Sequence, residues 1–342
     1  MGKIKVLVCE DSLFFRELLV KYLNKNPEIE VVASAGDPFE ARDMIVKYKP
    51  DVMTLDIEMP RMNGIEFLRK LIPQYPMPVV MISSLSGKVF EAMNAGAVDF
   101  VVKPAMTDRK KLEELMINDL PGKIKIASMA KVGNMRRGAV PELCETIRGN
   151  TKDMVVAIGA STGGTEAITT VLKDFGPNIP GTVIVQHMPP GFTEIYAKRL
   201  DDQCRVKVKE AKHGDKVVPG QVLIAPGGDR QMRLVKVNGT FQVEILPGAK
   251  VNGHCPSVDV LFESVASVAG NKALGIILTG MGGDGAKGLL DMKKAGAKTI
   301  GQDESTCVVY GMPRAAYEIG AVMYQEKLED IAKRAYTVLN NM

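Results

Sequence analysis

The chain has 342 residues, of which 46% are hydrophobic and 25% charged, with a formal net charge of +4. At roughly 150 residues per domain this length suggests two domains, each able to bury a core, and the composition excludes disordered and fibrous classes. So small a net charge argues against nucleic acid as a partner, and no apolar run reaches the roughly 18 residues of a membrane span.

In chain order, the first apolar stretch is interrupted by Glu10 and Asp11, too early for a signal peptide. Strands are expected at residues 4–9, 30–33, 52–55, 79–82 and 100–102, with helices such as 12–24 and 38–48 between them. Continuous apolar strands alternating with amphipathic helices imply a parallel sheet covered on both faces. Five such units fill a doubly wound domain over residues 1–125. Residues 126–152 read as a linker, punctuated by Gly133, Arg136, Arg137, Gly138, Pro141 and Gly149. A second series over 153–342 places strands at 155–158, 183–186, 223–225, 275–279 and 298–300. Segments 230–237 and 240–245 alternate around Asn238-Gly239, the strongest short hairpin signal. The fold class expected is therefore α/β throughout: a flavodoxin-like (βα)5 domain, then a doubly wound, mostly parallel α/β/α domain with a β-hairpin insertion. Cys9, Cys144, Cys204, Cys255 and Cys307 are scattered without a CxxC pair, which fits a reduced, cytoplasmic compartment.

In open α/β sheets ligands sit outside the carboxyl ends of the strands. In the first domain those ends carry Glu10-Asp11, Asp56, Ser83-Ser84 and Lys103-Pro104. Three converging carboxylates repel one another, and a hard divalent cation such as Mg²⁺ relieves that conflict beside a phosphoryl group. Asp56 is then the nucleophile that forms an acyl phosphate, with Lys103 neutralising charge and Ser83 bonding a phosphoryl oxygen. A helix N-cap role explains any one of these acids, Asp11 before Ser12 for instance, but not four complementary strand ends.

These residues, with Asp56-Ile57-Glu58-Met59-Pro60-Arg61-Met62-Asn63-Gly64, closely resemble the receiver domain of bacterial response regulators. The resemblance implies phosphorylation of Asp56 by a histidine kinase. It also implies Mg²⁺ held by Asp11, Asp56 and the backbone carbonyl of Glu58, with Glu10 assisting. Phe100 stands where that family carries a switch aromatic, although a core Phe in a strand fits as well.

In the second domain, strand 155–158 runs into Gly159-Ala160-Ser161-Thr162-Gly163-Gly164 and then a helix. Gly159, Ser161 and Gly163 fit G-x-S-x-G, the turn that lifts a nucleophilic serine above a sheet edge, although Ser161 can also simply cap the helix. Of only three histidines, His187 follows a strand on the same rim; His213 lies in a polar turn, and His254 precedes a helix where it can line the site or cap it. Asp284, in Gly280-Met281-Gly282-Gly283-Asp284-Gly285, is the expected orienting acid, ahead of Asp259 and Asp303. The order Ser161, His187, Asp284 differs from that of α/β-hydrolases. A competing reading takes Gly280, Gly282 and Gly285 as a dinucleotide fingerprint with Asp303 as the ribose acid, but leaves the Ser161 turn unexplained.

These segments, with Gln186-His187-Met188, Ala225-Pro226-Gly227-Gly228 and His254-Cys255-Pro256-Ser257-Val258-Asp259, resemble the catalytic domain of the chemotaxis protein-glutamate methylesterases, and with the receiver and linker in the same order the resemblance covers nearly the whole chain. The resemblance implies hydrolysis of γ-glutamyl methyl esters on chemoreceptors and deamidation of receptor glutamines. Ser161 is nucleophile, His187 base and Asp284 orienting acid; Met281 N–H and Thr162 support the oxyanion, and ester hydrolysis needs no cofactor. The membrane is met only through receptors, and nucleic acid is no partner. An unphosphorylated receiver is expected to occlude the catalytic site. The alternatives from other classes are a DNA-binding regulator, for which no helix-turn-helix pattern is found, and the NAD-dependent enzyme above.

Overall fold

The computed structural model describes residues 2–84, 86–132, 147 and 149–342. The chain forms two compact units, Met1–Arg136 and Arg137–Met342. Among the described residues no helix is long and apolar enough to cross a membrane.

In the first unit, strands β1 (Ile4–Cys9), β2 (Ile29–Ala35), β3 (Val52–Asp56), β4 (Val79–Ser83) and β5 (Asp99–Val102) form a parallel sheet in the order β2-β1-β3-β4-β5. Every residue of β3 and β4 is buried, because helices cover both faces, and their sequences are accordingly apolar but for Thr54 and the strand-end residues Asp56 and Ser83. Local chemistry starts the helices. The Ser12 hydroxyl accepts from Phe15 N ahead of helix Leu13–Leu23, and Asp37 accepts from Phe39 N and Glu40 N ahead of Pro38–Tyr48. The strand order reverses direction between β1 and β3, so Glu10-Asp11 and Asp56 flank one crevice. The last helical stretch, Arg109–Glu114, a π turn Leu115–Asp119 and Leu120–Ser128, continues three residues past the expected boundary at 125. Ile124 and Ala127 hold it there by burial against the sheet. Of the expected linker 126–152, residues 133–146 and 148 lie outside the described residues.

In the second unit, β6 (Val155–Ala160), β7 (Gly181–Gln186), β8 (Lys207–Glu210) and β9 (Gln221–Ile224) precede a hairpin of β10 (Arg230–Val237) and β11 (Thr240–Pro247). Then come β12 (Ala273–Ile277), β13 (Lys298–Gln302) and β14 (Tyr324–Glu326). Seven of these make a fully parallel sheet in the order β14-β13-β12-β6-β7-β9-β8. The hairpin is a separate antiparallel pair turning on Asn238 (φ 49°) and Gly239 (φ 79°), the positive pair that matches strand twist. It packs on helix Val258–Ala269. The short edge strands β8 and β14 were not among the expected strands; they carry Lys, Glu and Gln and no apolar run. The strand expected at 275–279 begins and ends two residues earlier, at Ala273–Ile277, although Leu278 and Thr279 are as buried as the strand itself. The chain leaves β6 to one side for β7 and later returns to β12 on the other side. The carboxyl ends of β6, β7 and β12 therefore meet at a topological switch point.

Candidate active site and phospho-acceptor pocket

Ser161 follows the last residue of β6. Its N–H donates to Thr279 O (3.0 Å), and its carbonyl accepts from Gly164 N (2.7 Å) and Gln186 Nε2 (2.9 Å). Gly163 turns the chain at φ 78° into helix Gly164–Asp174. A Cβ on Gly164 would stand 2.2 Å from Gln186 Oε1 and 2.6 Å from Ala160 Cβ, so only glycine fits there. The N-cap is Gly163, with no side-chain capping bond. The Ser161 hydroxyl is thus not consumed as a cap, and it stands near a helix N-terminus, whose dipole favours negative charge.

His187 arrives from the neighbouring strand. The β6–β7 register pairs Ala160 with Gln186, so Ser161 and His187 are the next residues on strands about 4.8 Å apart. Gln186 Nε2 ties both backbones together, donating to Ser161 O (2.9 Å) and His187 O (3.1 Å). His187 Nε2 lies 2.9 Å from Asp284 Oδ2, and the two side chains are only 8% and 1% exposed.

Asp284 is held from several directions. Oδ1 accepts from Asn252 Nδ2 (2.9 Å), Ser257 Oγ (2.7 Å) and Asp259 N (3.3 Å), and Oδ2 accepts from Val258 N (2.7 Å) as well as His187. Two of these amides open helix Val258–Ala269, whose N-terminus favours an anion. Burial pushes the Asp284 carboxyl up, but the bonds from His187, Asn252, Ser257 and Val258 reverse that and hold it well below the usual carboxylate range. An ionised Asp284 only accepts, so His187 Nε2 carries the ring proton and Nδ1 is the basic nitrogen. Nδ1 is buried and has no hydrogen-bond partner among the described residues. The structure therefore joins His187 to Asp284 directly. It brings Ser161 to the same rim without a hydrogen bond from its hydroxyl to the ring.

The loop after β12 completes the rim. Gly280 N donates to Val309 O (3.1 Å), while Gly280 O accepts from Gly311 N (3.1 Å) and Met312 N (2.8 Å). Met281 is 38% exposed at the next position, and Thr162 is buried, its carbonyl accepting from Thr279 Oγ1 (3.0 Å). Gly285 (φ 89°) leaves space for Val258, whose Cγ1 would lie 2.5 Å from an added Cβ. Asp303 accepts from Ser305 N as the cap of a short 3₁₀ turn. Asp259 accepts from Gly288 N (2.8 Å) and Asn252 Nδ2 (2.7 Å), and burial pushes its carboxyl up. His213 is exposed in its turn, and its Nδ1 accepts from Ile245 N (3.3 Å). His254 does line the site, its ring stacked on His187. Sequence reasoning missed Asn252 and Ser257. Asn252-Gly253 is a turn signal, but nothing local ties it to an acid 32 residues away.

In the first unit, ligand oxygens of Glu10, Asp11 and Asp56 lie within 4.8 Å of one another. Lys103 Nζ stands 2.9 Å from Asp56 Oδ2 and 2.9 Å from Glu10 Oε2. Burial, then the neighbouring Asp56, pushes the Glu10 carboxyl up to about 7, against the pull of Lys103. For Lys103, burial favours the neutral amine, but hydrogen bonds to Glu10 and Asp56 outweigh it and raise its value. Glu58 N donates to Asp56 Oδ1 (3.4 Å), and Ser83 is buried at the end of β4. Gly64 makes room for Asp56: an added Cβ would lie 2.0 Å from the Asp56 carbonyl oxygen. Phe100 is buried in β5 with Lys123 Nζ 5.7 Å from its ring centre. Two buried carboxylates, Glu10 and Asp56, beside the exposed Asp11, with Glu10 pushed up, are the donor chemistry that a hard divalent cation relieves.

Residues 156–335 match the family model of the CheB methylesterase, and residues 6–116 that of the response regulator receiver domain. Over 343 residues the chain is 60% identical to "Protein-glutamate methylesterase/protein-glutamine glutaminase 2" of Syntrophomonas wolfei, covering 100% of this chain and 99% of that one. It is 50% identical over 348 residues to the protein-glutamate methylesterase/protein-glutamine glutaminase of Syntrophotalea carbinolica, covering 99% and 98%. The crystal structure of the Thermotoga maritima CheB methylesterase catalytic domain superposes with a TM-score of 0.53 at 38% identity, covering 54% of this chain and 98% of that one. With its receiver followed by a catalytic unit whose β6, β7 and β12 ends share one crevice, the chain belongs to the CheB methylesterase family.

Proposed function

We propose that this chain removes methyl esters from glutamate side chains of chemoreceptors and deamidates receptor glutamines, under control of phosphorylation at Asp56. The observation that carries this reading is the buried His187–Asp284 pair on the sheet rim that also presents Ser161. The full-length likeness to methylesterase/glutaminase relatives supplies the substrate class.

In the proposed reaction Ser161 Oγ attacks the side-chain carbonyl carbon while His187 Nδ1 takes its proton. Asp284 stabilises the imidazolium. The carbonyl oxygen, now an oxyanion, faces the Met281 N–H with Thr162 in support. The C–O or C–N bond then breaks, and methanol or ammonia leaves with the proton from His187. A water, deprotonated by His187, attacks the acyl-enzyme, which releases glutamate and restores Ser161. This half needs no cofactor.

In the receiver, Asp56 accepts a phosphoryl group from a chemotaxis histidine kinase. Asp11, Asp56 and the Glu58 carbonyl, assisted by Glu10, would hold Mg²⁺, which when bound neutralises charge on the transferring group. Lys103 and Ser83 contact the phosphoryl oxygens. The receiver runs to the end of helix Leu120–Ser128, three residues past 125, a linker follows to 152 and the catalytic domain spans 153–342; the protein acts in the cytoplasm, meeting the membrane only through receptors. Methanol release from methylated receptor membranes, with and without a phosphodonor, tests the reading. Wild type should release methanol faster with the phosphodonor, and Ser161→Ala should release none; an active Ser161→Ala protein ends the proposal.

A further inference from the structure

One hydrogen bond does not fix an imidazole. The bond from His187 Nε2 to Asp284 sets one edge of the ring, but leaves it free to tilt about that bond, and Nδ1 has no hydrogen-bond partner among the described residues. What limits the tilt is a second ring. His254 stacks on His187 with centroids 3.7 Å apart and planes 9° from parallel.

His254 is itself held by a tight turn. Val251 N donates to His254 O and His254 N to Val251 O, both at 2.9 Å, around Asn252 (φ 52°) and Gly253 (φ 85°). Asn252 Nδ2 anchors that turn by donating to Asp284 Oδ1 (2.9 Å) and Asp259 Oδ2 (2.7 Å). One four-residue turn thus contacts both members of the pair, Asn252 on the carboxylate and His254 on the imidazole. We propose that His254 is a positioning residue for the proposed reaction, its ring face fixing the plane of His187 so that Nδ1 is aimed at the Ser161 hydroxyl.

The charged and titratable groups facing His254 are His187, Asp284 and Lys250. Burial, and then His187, depress its basicity to about 4, so it is neutral where an esterase works. A neutral ring stacks on His187 without repulsion, and it still offers a π face when His187 becomes a cation.

The inference rests on the reading of His187 as general base. Wild-type hydrolysis by His187→Ala would sink that reading, whereas histidine ¹⁵N spectra of the full chain address His254 separately. The chain has only three histidines, so the ring signals are few. Wild type and His254→Phe should both show sharp His187 ring signals of a single tautomer protonated at Nε2, whereas in His254→Leu the Asp284 bond keeps that tautomer but the ring signals broaden as the ring tilts. In receptor demethylation, His254→Phe should keep kcat within about threefold, and His254→Leu should lose about tenfold or more in kcat with KM within about twofold. A His254→Leu protein with wild-type kcat, or with His187 ring signals as sharp as those of wild type, overturns the proposal. So does His254→Phe as impaired as His254→Leu, because then a ring nitrogen matters and not the face. Averaged His187 tautomers in wild type overturn it without any variant.

Discussion

Gly280 approaches Ser161 so closely that a Cβ on the glycine would stand 2.7 Å from the Cβ of the serine. The same Cβ would lie 2.3 Å from Met312 Sδ, in a residue that is itself fully buried. The strand that presents Ser161 and the loop that carries Met281 and Asp284 are therefore in direct contact, with no slack between them.

Gly280→Ala should force that loop away from Ser161. Small misplacements of reacting groups cost on the order of 100-fold, so kcat for ester hydrolysis should fall by about that factor. The measurement is methanol release, with thermal unfolding alongside to show a folded chain. Wild-type kcat in Gly280→Ala would mean that this contact does not set the site.

Asp284→Asn turns an acceptor of five donors into a group with two acceptor positions lost and two new donors facing other donors. His187 loses the partner that selects its tautomer. The expected fall in kcat is about 10³- to 10⁴-fold, with roughly 2 to 4 kcal/mol of stability lost. Steady-state kinetics and urea unfolding report the two effects separately, and an Asn variant as stable and active as wild type would contradict both.

His254 titrates at about 4 in the folded chain against 6.5 for the free group, because burial and His187 disfavour its charge. A base with a depressed value contributes stability that is fully present above 6.5 and is lost as pH falls through 4. The urea midpoint of wild type should therefore drop more steeply than that of His254→Phe between those limits. Parallel curves would show that His254 is not held neutral.

Glu10 shows the opposite sign. Its value is raised from 4.5 to about 7 by burial and by Asp56, so the folded chain favours its protonated form. That contribution is present below 4.5 and is lost as pH rises through 7. Without divalent cations, Glu10→Gln should melt at a higher temperature than wild type at pH 8 and lose that advantage near pH 4. Added Mg²⁺ should narrow the gap at pH 8 by stabilising wild type. Equal melting temperatures at pH 8 in EDTA would refute this.

Much of the architecture was legible because its signals are local. Ser12 and Asp37 cap helices a few residues away, and Asn238-Gly239 forces a turn by its own backbone preference. Fully buried strands such as β3 and β6 must be mostly apolar, with a polar residue in β3 only at Thr54 and at its functional end, Asp56. Where those signals fail, the reading failed too. Strands β8 and β14 lie at sheet edges, half solvated, and carry no apolar run. Leu278 and Thr279 are fully buried beyond the end of β12, so apolarity alone could not mark where pairing stops.

By itself the sequence determined which residue types stand at the strand ends: Ser161, His187 and Asp284 in one unit, Glu10, Asp11, Asp56, Ser83 and Lys103 in the other. Strand period and turn chemistry are properties of neighbouring residues, so they survive without coordinates. Only the tertiary structure decided that Asp284 takes His187 at Nε2 and leaves Nδ1 without a hydrogen-bond partner among the described residues. It alone brought Asn252, Ser257 and two helix amides onto that carboxylate, and the His254 ring onto His187. Those pairings join segments 25 to 97 residues apart, and which atoms meet depends on packing that no local pattern encodes.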